Sequence, residues 1–454
     1  MSPSEIDVRI LLSLAVVIGA SRVAGWAISK VGQPRVLGEI LAGILLGPSL
    51  LGVVWPGGLE YVFPGPIVDA LGILAQIGVV LFMFLIGLEL DLTKLRGNRR
   101  KALVISPVSI IAPMLLGAVL AVWLYPRFGG DADRLGFTLF IGAAMAITAF
   151  PVLVRVLQET GLYHTRIGVL TITCAAVDDV TAWCVLALVV ALVDASGLAE
   201  AIVTIGSSLA FLVAMLAFVK PALRRMPAIP LWIAMCLALS SAWVTELIGI
   251  HAIFGAFMAG VAIPRVKEVQ RKIRRRLEPA VITFLLPVFF VVVGLATRVD
   301  RLDGVYMWGV TLLVTGTAIA GKWGGSMIAA RLVGESWRDA ASIGILMNTR
   351  GLTELVILTV GLELGVISTT LFTMGVLMAL VTTLMAVPLL AVVSPIRAGR
   401  AAAEGANSTL PRDAPSDRTD LVAGGASTSM NEGQEDHELS PISTDRRSTS
   451  APPT

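Results

Sequence analysis

Residues 166–193 read RIGVLTITCAAVDDVTAWCVLALVVALV, and this stretch decides the class of fold. A helix needs about 20 apolar residues to cross the hydrocarbon of a bilayer. The stretch is longer than that, with Arg166 at one edge and Asp178 and Asp179 side by side near its centre. An acid at that depth costs roughly 2.5–3.5 kcal/mol on insertion scales, so intramembrane acids line a pathway or meet a partner. Neighbours on a helix point about 100° apart, which gives the two carboxylates separate partners and separate roles. One can bind while the other is neutralised, and a proton and a cation can compete for one acid. The competing reading makes both aspartates structural hydrogen-bonders inside a bundle.

Working outward, the rest of the chain has the same character. Of its 454 residues 56% are hydrophobic and only 15% charged, against roughly 25% charged in soluble domains. Long apolar blocks recur near 8–30, 35–53, 66–90, 101–125, 135–158, 166–193, 198–219, 228–247, 250–264, 278–297, 304–330, 337–361 and 364–393. We therefore expect an all-α polytopic membrane protein of about 13 transmembrane helices. Basic residues gather after every second block, for example Lys94, Arg96, Arg99, Arg100 and Lys101, and the run from Arg265 to Arg276. The intervening loops carry Glu60, Asp131 and Asp133, or Asp300 and Asp303. Cytoplasmic loops hold the excess of Lys and Arg, so this alternation predicts a cell-membrane protein with its N-terminus outside and its C-terminus in the cytoplasm. Residues 1–395 form the transmembrane domain in this reading. Residues 396–454, rich in Ser, Thr, Pro, Gly, Asp and Glu, cannot bury enough apolar surface to offset chain entropy and are expected to be a disordered cytoplasmic tail.

The same composition narrows the function. The basic residues form no stripe for nucleic acid, the tail holds no Gly-rich nucleotide-binding fingerprint, and Cys174, Cys184 and Cys236 have neither disulfide nor metal spacing. His164 and His251 stand at loop edges without a cluster. We expect no cofactor, no nucleic acid, no nucleotide-binding regulatory domain and no enzyme activity.

Other spans hold residues that a loop does not explain. Lys322 in AIAGKWGGS is a candidate salt-bridge partner for Asp178, with Gly321, Gly324 and Gly325 allowing close helix approach; a lysine that snorkels to the interface is the alternative. The block 135–158 contains AMAITAFPVLVRVL, where Pro151 removes a backbone donor and frees carbonyls around Thr148 and Ala149. The block 337–361 contains ILMNTRGLTELVIL, where Asn348, Thr349, Arg350 and Gly351 interrupt an apolar run. Non-helical backbone at membrane depth is tolerated where it is buried or lines a cavity. Two such breaks, one in each half, suggest an inverted repeat with broken helices at the site. EILAGILLGP (39–48) and FGAFMAGVAIP (254–264) repeat an Ala-Gly pair followed by Pro, in spans that run in opposite directions. Arg350 and Glu354, four apart on one helix face, form a possible structural pair. Arg22, Glu39, Glu89, Asp91 and Arg155 lie toward cytoplasmic span ends, where an ion funnel and interface anchoring predict the same placement, and they receive no role.

Six motifs in this order resemble the second family of monovalent cation/proton antiporters: VLGEILAGILLGPSLLG (36–52), FMFLIGLELD (82–91), ITAFPVLVRVL (147–157), AAVDDVTAW (175–183), GKWGG (321–325) and GILMNTRGLTELVIL (344–358). The last two are most similar to the plant cation/proton exchanger branch. The resemblance covers about residues 7–393. It implies the sodium/proton antiporter fold, in which crossed, broken helices move against a dimer-forming panel, and secondary active exchange of Na⁺ or K⁺ for H⁺ by alternating access. It implies that Asp179 is the shared cation/proton site, that Asp178 bridges to Lys322, and that Thr148 lies beside the ion. Asp178 stands where plant exchangers commonly carry Asn. A gated potassium efflux channel and a sodium-coupled symporter of organic anions on a related fold are the alternative readings. A homodimer follows from the resemblance alone.

Overall fold

The computed structural model describes residues 3–89, 99–130, 132–194, 198–226, 228–264 and 266–393. The tail expected from residue 396, the loop residues Asp91, Lys94 and Arg96, and Asp131 lie outside the described residues. The first half consists of α1 (Pro3–Lys30), α2 (Arg35–Leu46), α3 (Leu51–Val54), α4 (Pro56–Val62), α5 (Gly65–Glu89), α6 (Arg99–Phe128), the pair α7 (Arg134–Ala146) and α8 (Phe150–Glu159), and α9 (Arg166–Asp194). The second half consists of α10 (Leu198–Ala214), α11 (Lys220–Arg224), α12 (Leu231–Ile248), α13 (Ala252–Ala262), α14 (Lys267–Ala280), α15 (Leu286–Ala296), α16 (Gly304–Ile319), α17 (Gly325–Leu332), the pair α18 (Trp337–Met347) and α19 (Leu352–Glu363), α20 (Thr369–Leu384) and α21 (Ala386–Val393). Single π turns, Met215–Val219, Val281–Leu285 and Ala320–Gly324, join α10 to α11, α14 to α15 and α16 to α17.

Among the described residues ten helices are long and apolar enough to cross a membrane, and α18 with α19, bent by 44° at its break, makes an eleventh. The expected thirteen therefore includes two segments of another kind. The block 135–158 is split into α7 and α8 by the non-helical residues 147–149. The block 250–264 holds only the 11 residues of α13, about 16 Å at 1.5 Å per residue, against a hydrocarbon core of about 30 Å.

The basic run before residue 278 is also not the loop that its charge suggested. Lys267–Ala280 is helical and continues through a π turn into α15. Lys, Arg, Gln and Glu are good helix formers, and Ile273 and Leu277, four apart, supply a buried stripe. Gln270 Nε2 donates to the Leu88 carbonyl at 2.8 Å and Arg274 pairs with Glu89 at 2.7 Å, so α14 closes over the open end of α5.

The helices pack in two sets. In the first, α1, α2, α5, α12, α13 and α15 pack on one another through glycine. Gly43 of α2 and Gly47, which caps its C-terminus, bring the backbone against Phe290 and Gly294 of α15. Gly87 of α5 and Gly260 of α13 do the same for each other, and Gly255 meets the Ser241 carbonyl of α12. Lipid tails are as apolar as leucine, so helices associate in a bilayer through such close backbone approach or through polar contacts. In the second set, α6 packs on α7, α9, α16 and α17, α17 on α18, and α20 on α16 and α19. A Cβ at Gly321 would lie 2.6 Å from Pro113 Cα, and one at Gly325 2.8 Å from Ala112 Cβ. These two glycines bring Lys322 against α6. Gly324, expected to share that task, faces open space. Outward faces are apolar, as on α10 with Ile202, Val203, Leu209, Val213 and Phe218 exposed on the same segment.

Candidate functional site

The site is built where the two interrupted helices cross. Helix α7 stops at Ala146, and α8 begins at Phe150 with Pro151 in its first turn, a position that lacks a helical donor partner in any case. Helix α18 stops at Met347, and α19 begins at Leu352. The breaks bond to each other: Ala149 N–H donates to the Thr349 carbonyl at 3.0 Å, and Thr148 Oγ1 donates to the Met347 carbonyl at 3.1 Å. Gly351 lies against Val152 of α8. The carbonyls of Thr148 and Ala149, expected to be free, accept from Phe150 and Leu153 N–H at 3.1 and 2.9 Å. The carbonyls that need outside donors are those at the end of α7, as for any helix C-terminus.

Two cations supply those donors. Lys322 Nζ donates to the Ala146 carbonyl at 2.5 Å. Arg350 Nη1 donates to the Ala144 carbonyl at 3.1 Å and Nη2 to the Met145 carbonyl at 2.6 Å. Positive charge is stabilised at a helix C-terminus by the macrodipole, so both side chains are placed where the break favours them. Arg350 Nη1 also pairs with Glu354 Oε2 at 2.8 Å, both residues being fully buried. The Arg350 backbone is fixed in turn by Thr383, whose hydroxyl accepts from Arg350 N–H at 2.8 Å and donates to the Arg350 carbonyl at 2.6 Å.

Asp178 is the centre of this arrangement. Its carboxylate accepts from Ser106 Oγ at 2.5 Å, from Ser109 Oγ and from Lys322 Nζ at 2.9 Å; Thr148 Oγ1 lies 3.4 Å away, its one proton shared with the nearer Met347 carbonyl. Lys322 Nζ donates as well to the Ser109 carbonyl at 2.9 Å. All three ammonium donors are therefore used inside the protein, and Lys322 does not snorkel. Four spans meet at one carboxylate: α6 through the serines, α7–α8 through Thr148, α9 through Asp178 itself, and the π turn through Lys322. The π turn, a form frequent at functional sites, carries that lysine.

Asp179 is equally deep but differently served. It is 3% exposed, and its Oδ1 makes no hydrogen bond among the described residues. An unpartnered buried polar oxygen is rare in proteins and calls for a reason. The side-chain oxygen of Asn348, at the second break, is also buried without a hydrogen bond among the described residues. Among the described residues no group of three or more His, Cys, Asp or Glu is placed to hold a metal ion.

Of the residues singled out in the sequence, Asp178, Thr148, Lys322, Ala149, Thr349 and Arg350 are drawn to one crossing. Ser106 and Ser109 were not singled out. Two hydroxyls three apart share one helix face, which is the signal that ISPVSIIAP offers.

Buried charges at the crossing of two interrupted helices define a polytopic membrane transport protein as the class. Residues 15–393 match the model of the transmembrane sodium/hydrogen exchanger family, and the chain belongs to that family. It is 42% identical over 398 residues to the Na(+)/H(+) antiporter NhaS4 of Synechocystis sp., covering 85% of this chain and 97% of the relative. It is 36% identical to cation/H(+) antiporter 19 of Arabidopsis thaliana and 34% identical to K(+)/H(+) antiporter 1 of Saccharomyces cerevisiae, covering 86% and 81% of this chain. The match spans only 50% and 44% of those two longer relatives. Among solved structures, the sodium proton antiporter MjNhaP1 of Methanocaldococcus jannaschii aligns with a TM-score of 0.58 at 13% identity, covering 86% of this chain and 99% of that one. That likeness concerns the fold.

Proposed function

We propose that the chain is a secondary active antiporter that exchanges Na⁺ or K⁺ for H⁺ across the membrane by alternating access, with Asp179 as the group that cation and proton occupy in turn. The observation that carries this reading is the contrast between two adjacent carboxylates at one depth. Asp178 has its charge matched by Lys322 and its oxygens filled by hydroxyl donors. Asp179 has a buried oxygen that none of the described residues serves, so an ion from outside the protein can serve it. A bare carboxylate there is costly, and either H⁺ or a dehydrated alkali cation removes the cost. Competition for one acid makes the two occupants exclusive, and alternating access of that acid to the two sides then couples their fluxes.

Several finer features belong to the same reading. Counting α7–α8 and the short α13 as spans gives thirteen, with α7–α8 and α18–α19 as corresponding broken members of an inverted repeat. An odd count agrees with the alternation of loop charge, which puts the N-terminus outside and the C-terminus in the cytoplasm of the cell membrane. The helix set built on glycine contacts is the panel, through which two copies form a homodimer, and the set around Asp178 is the moving core.

The test is exchange in proteoliposomes. Asp179→Asn keeps the size and hydrogen-bonding capacity of the side chain but cannot take up a proton or match a cation's charge. It is expected to abolish cation-dependent proton movement while the protein remains folded; exchange at the wild-type rate removes the assignment.

A further inference from the structure

Lys101 and Arg166 sit in the first turns of α6 and α9, where the helix macrodipole disfavours positive charge. Both reach the same acid. Lys101 Nζ lies 2.5 Å from Glu335 Oε1, and Arg166 Nη2 pairs with Glu335 Oε2. Arg166 is 65% exposed and Glu335 only 1%. A general excess of basic residues at this end of the bundle explains the two cations but not a buried carboxylate between them.

The turn that carries Glu335 is fixed on both sides. Helix α17 ends with Gly334 in the left-handed region, φ +90°. Glu335 N–H donates to the Ala330 carbonyl and Gly334 N–H to the Arg331 carbonyl, each at 3.1 Å, a pattern that closes a helix C-terminus on a glycine. One residue later, Ser336 caps α18 by accepting from Asp339 N–H at 3.1 Å. Arg331 Nη1 donates to the Glu335 carbonyl at 3.2 Å. The carboxylate is thus held on a short, doubly capped link.

The three helical rods joined at Glu335 are those that build the cage. Helix α6 carries Ser106 and Ser109, α9 carries Asp178 and Asp179, and the rod α16–α17 carries Lys322 on its π turn; α18, which starts from the same link, leads to the break at Asn348. We propose that Glu335 is a positioning residue for the ion site: by binding Lys101 and Arg166 it holds α6, α9 and α17 in register, so that the Asp178 cage and Asp179 keep one geometry while the core moves. This rests on the reading of Asp179 as the transport site. Partners outside the first ring of ion ligands commonly change affinity or activity by 10–100-fold when they are removed, and the same scale is expected here.

The test uses the full chain in proteoliposomes and reads the KM for the cation separately from the maximal rate. Glu335→Gln keeps the shape but weakens both ion pairs; it is expected to raise the cation KM by roughly tenfold, with Glu335→Asp recovering part of the shift. A residue that only supports the fold would lower the yield of active protein and the maximal rate while leaving KM in place, and that result overturns the proposal. Should Glu335→Gln fail to fold, Arg166→Gln, an exposed position, is expected to raise KM several-fold, and a wild-type KM there overturns the proposal equally. Asp179→Asn is run alongside: if it still exchanges, the site reading fails on its own account, whereas loss of exchange in Asp179→Asn with a wild-type KM in both other variants sinks only the role of Glu335.

Discussion

The two helix sets solve the same problem in opposite ways. In the set of α1, α2, α5, α12, α13 and α15, backbones touch because glycines let them, as at Gly43 against Phe290 and Gly87 against Phe257. In the set around α6 and α9, which has close glycine contacts too, as at Gly321 and Gly325, helices are joined in addition by charge. Among the described residues, the two ion pairs with both members fully buried, Lys322–Asp178 and Arg350–Glu354, lie there. Glycine contacts are inexpensive and indifferent to ions. Buried charges need full compensation, and a bundle that keeps them does so for a reason other than packing. The comparison therefore separates scaffold from working part by the chemistry of the joints.

That comparison can be broken experimentally. The largest effect is expected at Lys322→Ala, which leaves Asp178 charged, buried and without its cation, and strips the Ala146 carbonyl of its donor. Removing one partner of a buried pair costs about 3–5 kcal/mol, to be read as a fall in thermal stability in detergent. A double variant, Asp178→Asn with Lys322→Met, takes away both charges and is expected to recover much of that loss; equal losses in the single and double variants would show that the pair is not electrostatic in origin. Gly43→Leu comes next. Its side chain would run into the backbone of α15, and overpacking of this kind costs about 1–3 kcal/mol; because the joint holds no charge, stability should fall equally across pH and salt. The smallest effect is expected at Gly324→Ala. Gly324 sits in the same π turn as Lys322 but faces open space, so the change should stay within about 0.5 kcal/mol, and a larger loss would mean that the turn itself, rather than its packed glycines, is sensitive.

Much of this site was legible in the sequence because membrane depth makes charge conspicuous. Asp178, Asp179 and Lys322 stand out in apolar blocks, and Thr148, Pro151 and the Asn348–Gly351 run mark breaks that the structure places at one crossing. The hydroxyls were harder to see. Ser and Thr in membrane helices usually turn back to a carbonyl of their own helix, as Thr171, Thr181 and Thr315 do here, so the shared face of Ser106 and Ser109 is the one weak mark that sets them apart. Arg350 was readable as a partner for Glu354 from their spacing, but its bonds to Ala144 and Met145 join residues some 200 positions apart, which no local pattern encodes. Glu335 and α14 were obscured by their basic surroundings. Runs of Lys and Arg read as a loop in a hydropathy scan, yet over α14 they form a helix, and Glu335 stands between Arg331 and Arg338 in a segment that reads as positively charged.

The π turn at Ala320–Gly324 has a mechanical consequence. One additional residue in a helix that otherwise repeats every 3.6 offsets all that follows by about 100°. Lys322 on this turn reaches Asp178 and the carbonyls of Ser109 and Ala146, while the link that follows the same rod delivers Glu335 to Lys101 of α6 and Arg166 of α9. The extra residue fixes the angular phase between Lys322 and the link that carries Glu335, and deleting one residue from the turn would rotate one of them by about 100° away from its partners.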